Sequence, residues 1–140
     1  MMTKADLAYT RYREFYAPER YSDALAAMDE AIASLSEETE SERLELASHI
    51  FRRAIVLHKL GRTTEAEGAM LSTRNLQDEL AFSSRLAVFY GRHLADKQKA
   101  LLYSQAALDF AEQHGLFESD DDADRYYIRQ AREVRDQFSA

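Results

Sequence analysis

The chain has 140 residues, one proline, four glycines, no cysteine and a hydrophobic content of 46%. That is one domain's length with enough apolar mass for a single core, and it rules out disulfides, thiolate metal sites and a disordered chain. The net charge of −7 argues against a general nucleic-acid binder, although residues 46–105 hold 9 basic and 5 acidic groups while both flanks are acidic.

Seven helices are predicted. The first runs from about Lys4 to Ala17, with Thr3 and Asp6 as a capping box and Pro18 as its stop, because the residue before proline resists the helical region. Charge precedes any apolar run at the N-terminus, so no signal peptide is expected. The second helix, about Glu19 to Leu35, carries Tyr21, Ala24, Leu25, Met28 and Ile32 at helical spacing. An acidic connector, Ser36 to Ser41, leads to a cap at Thr39 with Glu42.

The third helix, about Glu42 to Leu60, has an apolar stripe too wide for one buried face, so neighbours are expected on two sides. Ile55 and its neighbours fall far short of a membrane span. Gly61 suits the left-handed residue that closes a helix. Thr64 with Glu67 is the expected cap of a fourth helix ending near Asn75. A fifth spans about Asp78 to His93, and a sixth, capped by Asp96, runs from Lys97 to His114 and stops at Gly115. Asp120, Asp121 and Asp122 crowd the start of a last helix, about Ala123 to Phe138. They lack the alternation, glycine and distal glutamate of a calcium loop, and carboxylates at that end oppose the helix dipole favourably. Tyr127, Ala131, Val134 and Phe138 share one stripe of that helix, which reads as a terminal cap.

No catalytic pattern is present. Glu45 and His49 are one turn apart, but an exposed helix-face pair explains them better than a metal does. There is no HExxH, no Glu-x-x-His, no phosphate loop and no nucleophile elbow, so neither enzyme activity, metal nor cofactor is expected. Gly68 and Gly91 lie inside helices, where close helix crossing is their expected role.

A small–large–small triplet recurs on the second helix of each helix pair: Ala24, Met28, Ala31; then Ala66, Met70, Thr73; then Ala100, Ser104, Ala107. With the turn at Leu60-Gly61-Arg62 and the Ile50, Ala54 and Leu57 positions before it, this pattern resembles the tetratricopeptide (TPR) helix pair. Leu108 to Gly115 is similar to the second helices of the longer repeats of the kinesin light-chain type. The likeness covers about residues 5–114. It implies an all-α, right-handed solenoid of about three TPR-like hairpins (about 4–35, 42–75 and 78–114) with a capping helix over 123–138, as a single domain across 1–140.

The resemblance further implies that the first helix of each pair lines a concave, partner-binding face. Phe51, Ile55, His58 and Lys59 fall on one side of the third helix. Arg85, Phe89 and Arg92 repeat the spacing on the fifth, as Tyr9, Arg13 and Tyr16 do on the first. Cations between aromatics suit a protein or peptide with acidic and apolar side chains. For Phe51, Ile55 and Phe89 a place in the core is the competing reading. Phe51 and Ile55 stand where a chaperone-tail clamp would need lysine and asparagine. The expectation is therefore a non-enzymatic, cytoplasmic, soluble adaptor that binds protein and neither nucleic acid nor membrane. The rival is a structural protein that pairs with a copy of itself through the terminal helix or the end of the stack.

Overall fold

The computed structural model describes residues 3–16 and 19–139. Of these, 83% are helical and none is in a strand. The expected stop at Ala17-Pro18 lies outside the described residues. The chain divides into two compact units, Met1–Gln77 and Asp78–Ala140.

The first unit holds α1 (Lys4–Tyr16), α2 (Tyr21–Ala33), α3 (Glu40–Lys59) and α4 (Thr63–Leu71), with a 3-10 turn over Ser72–Leu76. The capping box forms as the sequence predicts. Thr3 N donates to Asp6 Oδ2 and Asp6 N donates to Thr3 Oγ1, both at 3.0 Å. Thr39 caps α3 by accepting from Glu42 N at 3.1 Å. The Glu42 carboxylate folds back onto the connector, taking bonds from Ser36 Oγ at 2.5 Å and Ser36 N at 3.1 Å. Those bonds, the side-chain one first, hold its pKa below the usual carboxylate value.

α3 ends as Gly61 allows. Its φ is +80°, Gly61 N donates to His58 O at 2.9 Å and Arg62 N to Leu57 O at 2.8 Å. These two bonds are the pairing of a Schellman turn and satisfy carbonyls the helix would leave open. The expected Thr64 cap does not form. α4 starts two residues earlier, with Arg62 in the cap position and its guanidinium paired with Glu65 at 2.7 Å. The Thr63 hydroxyl is engaged by His58 Nδ1 at 2.8 Å. α1 packs on α2, α2 on α3, and α3 on α4. Ala8, Tyr12, Ala24, Ala27, Met28, Ala31 and Val56 form one core cluster of the unit, and Ala54, Leu57, Ala66 and Met70 are also buried.

The second unit holds α5 (Glu79–Val88), α6 (Lys97–Gln113) and α7 (Asp122–Phe138). Each begins on an aspartate: Asp78 accepts from Ala81 N, Asp96 from Lys99 N and Asp121 from Asp124 N, at 2.8–3.0 Å. The acidic run before α7 therefore supplies a cap and first-turn carboxylates. Gly115 closes α6 with φ +65°. α5 packs on both α6 and α7. Its Leu80 joins Ala107, Leu108, Ala111, Ile128 and Ala131 in one cluster, and its Ala87 joins Ala100 and Val134 in another.

α5 does not run on as an α-helix to His93. Phe89–His93 widens into a π-turn, with Leu94 N bonding to Phe89 O at 3.1 Å. The wider turn carries Gly91 close to α7. A β-carbon there would meet Phe138 Cε2 at 2.8 Å, Val134 Cγ1 at 3.2 Å and Ala100 Cβ at 3.3 Å. Close approach is thus the reason for glycine at 91. Gly68 differs from the expectation, since a β-carbon there would have nothing within 4 Å.

All nine triplet positions, from Ala24 to Ala107, are buried, most of them completely. Ala33, off the stripe, is exposed.

Candidate partner-binding face

The seven residues marked by the sequence fall four on α3 and three on α5 and its π-turn. In the first unit Phe51, Ile55 and His58 are half-buried and Lys59 is exposed at the end of α3. His58 is tied to the α3–α4 turn through Thr63. On α1, Tyr9 and Tyr16 are half-buried among aromatic neighbours, with Tyr12 5.8 Å from Tyr9 and Tyr21 5.6 Å from Tyr16. Arg13 is exposed.

In the second unit the expectation needs correction. Phe89 is 0% exposed, with its ring 5.7 Å from Tyr90 and 6.3 Å from His93. It is a core residue and offers a partner nothing. Arg85 Nη2 donates to the Tyr127 hydroxyl at 2.7 Å, and its guanidinium lies 5.3 Å from that ring. Arg92 donates to Gln130 Oε1 at 2.8 Å and pairs with Glu133 at 2.9 Å. Both arginines hold α7 against α5. The stripe is therefore not a free row of cations: both guanidiniums are engaged by α7, although Arg92 remains exposed. Ser84 adds to this by donating to the Tyr127 carbonyl at 2.7 Å.

His49 is not on an exposed helix face. It is 4% exposed and 5.6 Å from the Tyr9 ring, and the Arg52 guanidinium lies 4.4 Å over that same ring. Arginine only donates, so the 3.2 Å contact between Arg52 Nη1 and His49 Nδ1 makes Nδ1 the acceptor and leaves the proton on Nε2. Nε2 lies 3.6 Å from Glu45 Oε1, beyond hydrogen-bond length, and has no bonded partner among the described residues. Burial, then the Arg52 charge, pushes the imidazole pKa down against the pull of Glu45 and Asp6.

A pKa depressed in the fold makes the unfolded chain the better proton binder. The stabilisation is full above the unfolded value of 6.5 and is lost as pH falls through the folded one. Denaturant midpoints of the wild type should therefore drop more between neutral pH and about pH 5 than those of His49→Leu, which cannot take up the proton. Equal drops would show that the imidazole is not the group responsible.

The face that the sequence reading passed over is the outer side of α7. Arg125, Arg129 and Arg132 recur there at intervals of four and three and are exposed. Arg132 sits 4.9 Å over the Phe117 ring and Arg129 5.6 Å from the Tyr126 ring. Both rings are large and open, Phe117 at 44% and Tyr126 at 48% exposure. A groove of about 440 Å³ runs along the row, floored by Leu116, Phe117 and Ile128. Two carboxylates also line it, Glu133 and Asp136, but each is already paired, with Arg92 at 2.9 Å and with Arg135 at 3.3 Å. Among the described residues no carboxylate forms an ion pair with Arg125, Arg129 or Arg132. The i, i+4, i+7 spacing of the row is present in the sequence, but the net acidity of residues 106–140 masks it.

Among the described residues no group of three or more His, Asp or Glu is placed to hold a metal, and no helix is long and apolar enough to cross a membrane. No protein-family model, curated protein or solved structure matches the chain.

Proposed function

We propose that this chain is a non-enzymatic protein-binding module built of TPR-like helix pairs, with the outer side of α7 as its docking face. The observation that carries this reading is the pair of open aromatic rings, Phe117 and Tyr126, each held under an arginine of α7. Arginine and aromatic side chains supply most of the energy at protein interfaces, and a ring already fixed by a cation loses little freedom on binding. The repeated triplets and the packing of α1 on α2, α3 on α4 and α5 on α6 support the TPR-like part of the proposal, each pair being an antiparallel hairpin of the expected kind. The docking face moves from the α3 and α5 stripe to α7, because Phe89 is core and Arg85 and Arg92 are engaged.

The test is capture of partners from the native cell by wild type and by the Phe117→Ala, Tyr126→Ala double variant. Both rings are surface residues, so helix content and melting temperature should hold while capture falls by about tenfold or more, the loss of one to two hot-spot side chains. A folded double variant that captures the same proteins at full strength would overturn the proposal. A native mass that falls on dilution in the wild type, and not in the variant, would assign α7 to self-association instead.

A further inference from the structure

Resting on that reading, we infer that the α7 groove takes a short acidic segment of another protein, with carboxylates on the arginine row and an apolar side chain on Phe117. The charge balance of the groove points to this occupant. The protein carries net charge −7, yet this face holds three guanidiniums without an ion-pair partner among the described residues, while its two carboxylates are already paired with Arg92 and Arg135. Guanidinium forks pair with carboxylates in two-bond geometry, and an uncompensated row steers an anionic partner while rejecting a cationic one.

Spacing narrows the segment further. At a helix rise of about 1.5 Å per residue, Arg125 and Arg129 are about 6 Å apart along α7, and Arg132 lies about 4.5 Å beyond. An extended chain advances about 3.3 Å per residue and points alternate side chains the same way, so acids at alternate positions meet Arg125 and Arg129. A third acid two residues further on comes within reach of Arg132. The side chains between or beyond them face the floor of Leu116, Phe117 and Ile128, which favours an apolar residue. A nucleic acid offers the same kind of anion, but its backbone needs a broad basic field, and the acids of a chain at −7 oppose it. The guanidinium chemistry also admits a phosphoryl group on the same peptide.

The full chain should be titrated by fluorescence anisotropy with a labelled hexapeptide alternating aspartate and leucine. The comparison probes are its asparagine counterpart, a phosphoserine counterpart and a single-stranded RNA. The aspartate peptide is expected to bind in a salt-dependent manner, and the asparagine peptide about tenfold or more weakly. The triple variant Arg125→Gln, Arg129→Gln, Arg132→Gln should lose at least about tenfold, whereas Arg11→Gln, an α1 arginine of the first unit paired with Glu30, should change nothing. Tighter binding of the phosphoserine peptide would sustain the inference and name the phosphoryl group as the anion.

Equal binding of the asparagine peptide, full binding by the folded triple variant, or tighter binding of RNA would each overturn it. So would no aspartate-peptide binding up to about 1 mM, the edge of weak association. If the acidic peptide fails while the Phe117→Ala, Tyr126→Ala variant still loses its native partners, the acidic occupant falls and the protein-binding module stands.

Discussion

Phe89→Ala is expected to lower the unfolding free energy by about 3–5 kcal/mol, the usual cost of emptying a fully enclosed aromatic site. Phe89 has no exposed surface, and it stands where α5 widens into its π-turn, in contact with Tyr90 and His93. The cavity would open within that turn, which also carries Arg92 to Gln130 and Glu133. Urea unfolding would read the change directly. A residue of a binding groove would behave in the opposite way, losing affinity with an unchanged midpoint. An unchanged midpoint here would put Phe89 back on the surface.

Ala100→Leu and Ala66→Leu are each expected to destabilise by about 1–3 kcal/mol, because a larger side chain is forced into a closed helix crossing. Both alanines are completely buried. Ala100 leaves no room, since its methyl lies 3.3 Å from where a β-carbon on Gly91 would stand. Ala33→Leu, on an exposed position of α2, should do little. If the three changes had equal effects in denaturant melts, the register assigned to the triplets would be wrong.

Helix positions were legible in the sequence because their punctuation is chemical and local. Thr3, Thr39, Asp78, Asp96 and Asp121 each accept a backbone N–H at the start of a helix, and Gly61 and Gly115 take the left-handed conformation at the end of one. The triplets were legible because burial follows the helical period. What was hidden is how a later element covers an earlier one. Nothing local to Arg85 or Arg92 says that Tyr127, Gln130 and Glu133, some forty residues on, will take their donors. The π-turn was equally hidden, as Phe89 to His93 reads as ordinary helix.

The same limit applies to charge. A sum over a segment treats paired and unpaired groups alike, and residues 106–140 are acidic in total although the outer face of α7 presents three arginines that form no ion pair among the described residues. Glu133 and Asp136 count against those arginines in the sum and are cancelled by other cations in space. His49 shows the converse. Its spacing from Glu45 suggests an exposed pair, while its surroundings are the Tyr9 ring and Arg52 in a buried site.

The docking face is tested most directly by placing a benzophenone amino acid at Phe117 in one version of the full chain and at Leu102 in another. Leu102 is a control in the same unit with the greater exposure, 62% against 44%. Irradiation in the native cell should give adducts with another protein from position 117 and none from position 102. Adducts from position 102 with none from 117 would contradict the α7 docking face.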